Sequence, residues 1–299
     1  MRLVCAVIAV LGLAAGAAFS QDASAPQEGA AMVRSGYVDV GGGRLFYDEL
    51  GRGSAIVLLH DGLLHRETWD AQFPVLAESH RVVRYDRRGY GRSTPAEAPF
   101  SHIRDLDSVF TALGIERAVI VGCSSGGELA IDYTLAHPER VSGLVLVGPI
   151  VSGMGYTEHF STRGGRFHPT EKTTLDEVIE YFSNVDPYAI APGNLEAKAR
   201  ANELLRANPQ NLNWAAYQLI EPAARPALPN LGEIAVPTLI VVGEFDIPDV
   251  HAHCGAIEAG IRGAKRVVMS GAGHLVHMEQ PEAFDALVTR FLADLAGSK

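Results

Sequence analysis

The sequence predicts an α/β fold: a mostly parallel, doubly covered sheet of about eight strands carrying an inserted helical cap. Three observations point there. Short, continuous apolar runs alternate with helical patterns along most of the 299 residues. One of those runs, Ala118 to Val121, leads into Gly122-Cys123-Ser124-Ser125-Gly126 and then into a helical pattern. The stretch from about 151 to 231 breaks the alternation, with no buried-strand signature and seven prolines between Pro169 and Pro229.

The N-terminus stands apart from this alternation. Met1-Arg2 precedes an uncharged run from Leu3 to Phe19, and Ser20-Gln21-Asp22 follows. A basic start, an apolar middle and small residues at the exit are the marks of a secretory signal peptide over residues 1–20. Ala18-Phe19-Ser20 is the first choice of cleavage site and Ala23-Ser24-Ala25 the second. The expectation is a secreted or periplasmic protein with no membrane association after cleavage; the alternative is that the run is kept as an uncleaved N-terminal anchor, since it is at the lower edge of a spanning length. Residues 21–35 read as a flexible linker and 36–299 as one domain, with the cap at about 151–231.

Tyr37 to Val40 and Arg44 to Glu49, separated by Gly41-Gly42-Gly43, read as a β-hairpin. Ala55 to His60, Val82 to Tyr85, Ala118 to Val121, Val141 to Val147, Thr238 to Val242 and Arg266 to Met269 read as strands buried on both faces, because they lack polar alternation. Helical patterns run over Ile103 to Leu113, Gly127 to Ala136, Val250 to Ala259 and Pro281 to Leu295. In the cap, Thr174 and Glu177 have capping-box spacing. Asn194 to Ala207 and Asn211 to Leu219 read as two further helices.

Composition narrows the function classes. Apolar residues make up 47% and charged residues 20%, which is a core-forming chain. The formal net charge of −10 comes without a basic stripe, so nucleic acid is excluded as a partner and a small molecule is the expected one. No zinc-type ligand spacing occurs, so no metal is assigned, and His251-x-His253 reads as solvated surface. Cys123 and Cys254 read as buried free thiols. The oligomeric state is not encoded in any legible pattern.

Strand, sharp turn and helix make Gly122 to Gly126 a nucleophile elbow. Only Ser124 fits its frame. Ser125 has Cys123 two residues before it, and Cys123 has Val121, where glycine is required. Gly122 and Gly126 lack side chains because strand and helix pass too close there. A serine needs a base, and the base needs an orienting acid. In open α/β sheets such groups sit on loops at the carboxyl ends of strands. Asp246 follows the Thr238 to Val242 strand and His274 follows the last strand, in the chain order Ser124, Asp246, His274. Asp249 reads as a helix cap, Glu244 as a weaker alternative acid, and His277 as a surface or cap contact. The oxyanion hole is expected from the backbone N–H groups of Ser125 and Gly62, with Leu63 as second choice.

The chain resembles the α/β-hydrolase superfamily, in its cap-bearing serine-hydrolase branch, over roughly 35 to 296. The resemblance lies in Leu58-Leu59-His60-Asp61-Gly62 with Trp69, Tyr85-Asp86-Arg87-Arg88-Gly89-Tyr90-Gly91-Arg92-Ser93, the elbow, His137-Pro138-Glu139-Arg140-Val141, Gly243-Glu244-Phe245-Asp246, and Gly273-His274 with Glu279-x-Pro281 and Phe284. It implies the α/β-hydrolase fold, a hydrolase with no cofactor, and a loop-holding role for Asp86 and Arg88. The family commonly has glycine where Asp61 stands. A carboxylate there, if turned inward, would oppose a developing oxyanion; the expectation is that it turns to solvent or bonds a backbone N–H. A serine at the elbow implies acyl transfer on a small or medium ester, lactone or thioester. The alternatives are C–C bond hydrolysis, perhydrolysis or aminopeptidase action on the same triad, and a non-catalytic binding protein. Glu158, Glu180 and Glu221 could hold a substrate ammonium but read as solvated. Tyr156, Phe160, Phe167, Tyr181, Phe182, Trp214 and Tyr217 are the aromatics available to wall a cap pocket.

Overall fold

A computed structural model describes residues 32–160, 162, 173–212 and 214–297. The expected signal peptide, most of the expected linker, Phe167 and the Trp214 side chain lie outside the described residues. Eight strands form one sheet in the order β1-β2-β4-β3-β5-β6-β7-β8. These are β1 Arg34–Val40, β2 Gly43–Leu50, β3 Ala55–Leu59, β4 Arg81–Tyr85, β5 Ala118–Cys123, β6 Val141–Val147, β7 Thr238–Gly243 and β8 Lys265–Met269. The β1–β2 and β2–β4 pairs are antiparallel and all the others parallel. β1 begins at Arg34, so the last two positions assigned to the linker belong to the sheet. The hairpin turn is also tighter than three glycines, since Gly43 already pairs with Val40.

The apolar strands are explained by cover on both faces. Val57, Leu59 and Ile120 pack into one buried cluster, while Ile56, Leu58 and Val121 pack into another. A strand whose alternate residues all enter cores has no position left for a polar side chain. The covering helices are α1 Gln72–Ala77, α2 His102–Ala112, α3 Ser125–Ala136, α6 Pro248–Gly260, α7 Val276–Glu279 and α8 Pro281–Gly297. Between β6 and β7 lie α4 Leu175–Glu180 and α5 Leu195–Ala207. The Thr174–Glu177 capping box forms in both directions at the start of α4, and Asn194 caps α5.

One expected helix is replaced. Asn211 to Leu219 folds as 3-10 turns, Pro209–Leu212 and Trp214–Leu219. Asn211 is drawn out of helical geometry by long-range bonds, accepting from Gly91 N–H at 2.9 Å and meeting His65 Nδ1 at 3.2 Å. No described helix is long and apolar enough to cross a membrane.

Candidate active site

Ser124 stands between the end of β5 and the start of α3 with φ 55° and ψ −119°, the only non-glycine residue of positive φ among those described. Such a backbone costs on the order of 1–3 kcal/mol and persists only where its surroundings enforce it. The enforcement is visible. A Cβ on Gly122 would lie 2.4 Å from the Gly126 carbonyl oxygen, and one on Gly126 would lie 2.5 Å from that of His60. Strand and helix therefore cross with no space for side chains, and Ser124 is the residue at the bend.

His274 and Asp246 are brought together from two separate loops. His274 Nδ1 lies 2.8 Å from Asp246 Oδ1 and 3.0 Å from Oδ2. The Asp246 side chain is fully buried, and its Oδ1 also accepts from Ile247 N–H at 2.7 Å. A glycine makes room for the pair: a Cβ on Gly148, where φ is 47°, would meet Asp246 Oδ2 at 2.8 Å and His274 Nδ1 at 2.9 Å. Ser124 and His274 line one cavity of about 210 Å³, walled by Phe160, Phe182, Ile247 and Val250.

The loop after β3 is fixed by polar contacts. His60 and Asp61 are 0% and 2% exposed. The Asp61 carbonyl accepts from His60 Nδ1 at 2.7 Å and from Arg87 Nη2 at 2.6 Å. His60 Nε2 accepts from Arg87 N–H at 2.9 Å, so the proton sits on Nδ1. Burial, with the Arg87 charge beside it, holds the His60 imidazole neutral by pushing its pKa well down. In a trans peptide the N–H points opposite to the preceding carbonyl. Clamping the Asp61 carbonyl therefore aims the Gly62 N–H. Among the described residues neither Gly62 N–H nor Ser125 N–H donates to a protein acceptor.

The Asp61 carboxylate does not turn to solvent. Its Oδ1 accepts from Leu63 N–H at 2.7 Å and Leu64 N–H at 2.8 Å. Leu63 is thereby removed as an oxyanion donor, because its N–H is already occupied. Arg87 Nη2 also donates to Ser125 Oγ at 2.9 Å, placing a cation between the elbow and this loop.

Several expectations are corrected. His277 is fully buried, not at the surface: it stacks on Trp69 at 4.1 Å between ring centroids and meets Thr68 Oγ1 at 2.9 Å. Burial and the nearby His274 push its pKa down to about 3, so it is neutral. Asp249 lies inside the first turn of α6 and accepts from Thr157 N–H and Oγ1 at 2.6 and 2.9 Å, so it fastens the cap instead of capping the helix. Glu244 is turned away, accepting from Ser270 Oγ and Gly271 N–H. His253 is 1% exposed and accepts from Val151 N–H. Cys123 and Cys254 are buried free thiols. Asp86 gathers Arg66 N–H, Arg66 Nη1 and Arg92 N–H, while Arg88 pairs bidentately with Asp105, the loop-holding roles expected of them.

Glu279 has a role that its motif did not disclose. Its Oε1 accepts from Gly273 N–H at 2.9 Å and its Oε2 from Ala191 N–H at 2.8 Å. His274 N–H and Leu275 N–H donate to the Tyr188 and Ala189 carbonyls. The histidine loop and the cap thus share a backbone seam.

The model of the family described as alpha/beta hydrolase fold matches residues 55–281. A 2-hydroxy-6-oxononadienedioate/2-hydroxy-6-oxononatrienedioate hydrolase of Paraburkholderia xenovorans LB400 is 30% identical over 279 residues, covering 84% of this chain and 91% of its own. Among solved structures, Est816, described as an N-acyl homoserine lactone degrading enzyme, is 26% identical with a TM-score of 0.70, covering 86% of this chain and all (100%) of its own. The enol-lactonase of Burkholderia xenovorans LB400 shares the architecture with a TM-score of 0.74 at 23% identity, covering 86% and 100%.

Proposed function

The chain belongs to the alpha/beta hydrolase fold family and is a hydrolase, and from that premise we propose a serine hydrolase that cleaves a small or medium ester, lactone or thioester through an acyl-enzyme. The observation that carries this reading is the strained Ser124 sharing a cavity with a histidine whose far nitrogen is already paired with a buried acid. Ser124 Oγ attacks the carbonyl carbon. His274 Nε2 takes the serine proton and returns it to the leaving oxygen, while Asp246 holds the other ring nitrogen protonated and fixes the tautomer. The oxyanion is received by Gly62 N–H and Ser125 N–H, with the Arg87 charge close behind. Water then attacks the acyl-enzyme by the same route.

The cavity walls support an apolar acyl group. Among the described residues lining that cavity the only acidic side chains are Asp61 and Asp186, and there is no arginine or lysine. A dicarboxylate substrate would meet acids there without a counter-charge. The second reading, C–C bond hydrolysis on the same triad, is favoured by the 30% identical relative named for a dienedioate. Export, read from the first 20 residues, belongs to the proposal on sequence grounds. Purified protein should hydrolyse p-nitrophenyl butyrate and be labelled by a fluorophosphonate, and Ser124→Ala should lose both. Undiminished turnover in that variant would sink the reading.

A further inference from the structure

We propose that a second chamber beside Ser125 is the leaving-group subsite, and that the leaving group is a polyhydroxylated alcohol of the glycerol or sugar kind. The inference rests on the acyl-transfer reading of Ser124. The chamber has a volume of about 490 Å³. It shares Ile150 and Tyr156 with the cavity that holds Ser124 and His274, and it opens from Ser125, the next residue along. An acyl group and its leaving group need two neighbouring spaces, one on each side of the reacting carbonyl.

Their chemistry differs sharply. The first is walled mainly by aromatic and aliphatic groups with Asp61 and Asp186, while the second sets Arg87, Glu128, Asp132 and Ser152 among apolar residues such as Leu129 and Ile220. Glu128 and Asp132 stand four residues apart on α3, on one face of the helix. Among the described residues neither forms an ion pair, although the Arg87 charge acts on Glu128. Asp132 accepts from Ser152 Oγ at 2.6 Å, and Glu128 has no hydrogen-bond partner among the described residues. Burial, with Asp132 beside it, pushes Glu128 up to about 7 against the opposing Arg87 charge, and burial pushes Asp132 up to about 6. Arg87 is 3% exposed, and its Nε is buried with no acceptor.

A ligand there would donate to the carboxyl groups while lying in the positive field of Arg87. A hydroxyl does both, and a polyol carries several. An ammonium would suit the acids but set a second positive charge beside Arg87. A carboxylate would suit Arg87 but meet two acids. An alkyl group would leave the Glu128 carboxyl unpaired. In the reaction, Ser124 Oγ bonds to the acyl carbon and the bond from that carbon to the polyol oxygen breaks. The proton that His274 took from Ser124 passes to that oxygen, and the neutral polyol departs. Water then cleaves the acyl-enzyme to the free acid.

The test compares glyceryl monobutyrate, ethyl butyrate and butyrylcholine, with p-nitrophenyl butyrate reporting on the Ser124 chemistry alone. Glyceryl butyrate should exceed ethyl butyrate in kcat/KM by about tenfold or more, the discrimination expected when buried polar groups are paired by one substrate and stranded by the other. Glu128→Gln and Asp132→Asn should each remove most of that advantage through KM, so that the glyceryl and ethyl esters converge. Should Asp132→Asn fail to fold, Glu128→Gln carries the comparison. A separate readout is the partition of the butyryl-enzyme between water and added alcohol: glycerol should compete saturably and methanol linearly. Equal rates on the glyceryl and ethyl esters, or a preference for butyrylcholine, would overturn the subsite. A protein inert towards p-nitrophenyl butyrate would overturn the hydrolase reading and the subsite with it.

Discussion

Tyr217 donates its hydroxyl hydrogen to the Gly62 carbonyl at 2.6 Å. Tyr90 reaches the same carbonyl at 3.0 Å, and the two tyrosine oxygens are 2.7 Å apart. A turn of the cap is thereby bonded to the loop whose N–H is proposed to receive the oxyanion. Both sides of Gly62 are held: the peptide before it by His60 and Arg87, and the peptide after it by the two tyrosines.

Tyr217→Phe should therefore cost rate more than binding. Losing one hydrogen bond of about 1–1.5 kcal/mol from a positioning contact corresponds to a fall of roughly tenfold in kcat. KM for p-nitrophenyl butyrate should move little, because the ring remains. Steady-state kinetics read the two separately, and a change confined to KM would assign Tyr217 to substrate contact instead.

Glu279→Gln should destabilise the fold and the histidine loop together. Both carboxylate oxygens accept from backbone N–H groups, and an amide can replace only one of them. The other N–H would then face an NH2 group. The expected loss is about 1–3 kcal/mol, the cost of a buried donor left without an acceptor. Urea unfolding measures it, and faster amide exchange at Gly273 and Ala191 would locate it.

Stability should fall as pH rises from about 4 to about 7. The ordinary values of Glu128 and Asp132 are 4.5 and 3.8, and burial pushes them up to about 7 and about 6. Across that window the folded chain holds protons that the unfolded chain has released. Rising pH therefore favours unfolding, by at most about 1.4 kcal/mol per pH unit for each group. Above the raised values this contribution is constant. Glu128→Gln should flatten the slope of Tm between pH 5 and 7, and an unchanged slope would show that the carboxyl group is hydrated in the fold.

The places of Ser124, Asp246 and His274 in the fold were legible because each marks a local event in the chain. Ser124 lies in a pattern that only close strand–helix crossing requires, and Asp246 and His274 each follow an apolar run by one short loop. Glu128 and Asp132 were not legible. On α3 they look like ordinary polar positions, and only tertiary burial makes them unusual. His277 misled for a related reason: beside a glycine-rich loop it reads as exposed, yet Trp69 and Thr68 from a distant segment close over it. Asn211 to Leu219 has helical composition, but Asn211 is pulled away by Gly91 and His65, partners more than 100 positions earlier.

The bonds joining Tyr188 and Ala189 to His274 and Leu275 also restrict how molecules enter and leave. Swinging that edge outward would strip His274, the proposed base, of its footing at the moment of admission. Entry would instead run past another part of the lining, such as the half-exposed Tyr156. On this design, opening the wrong door disarms the enzyme.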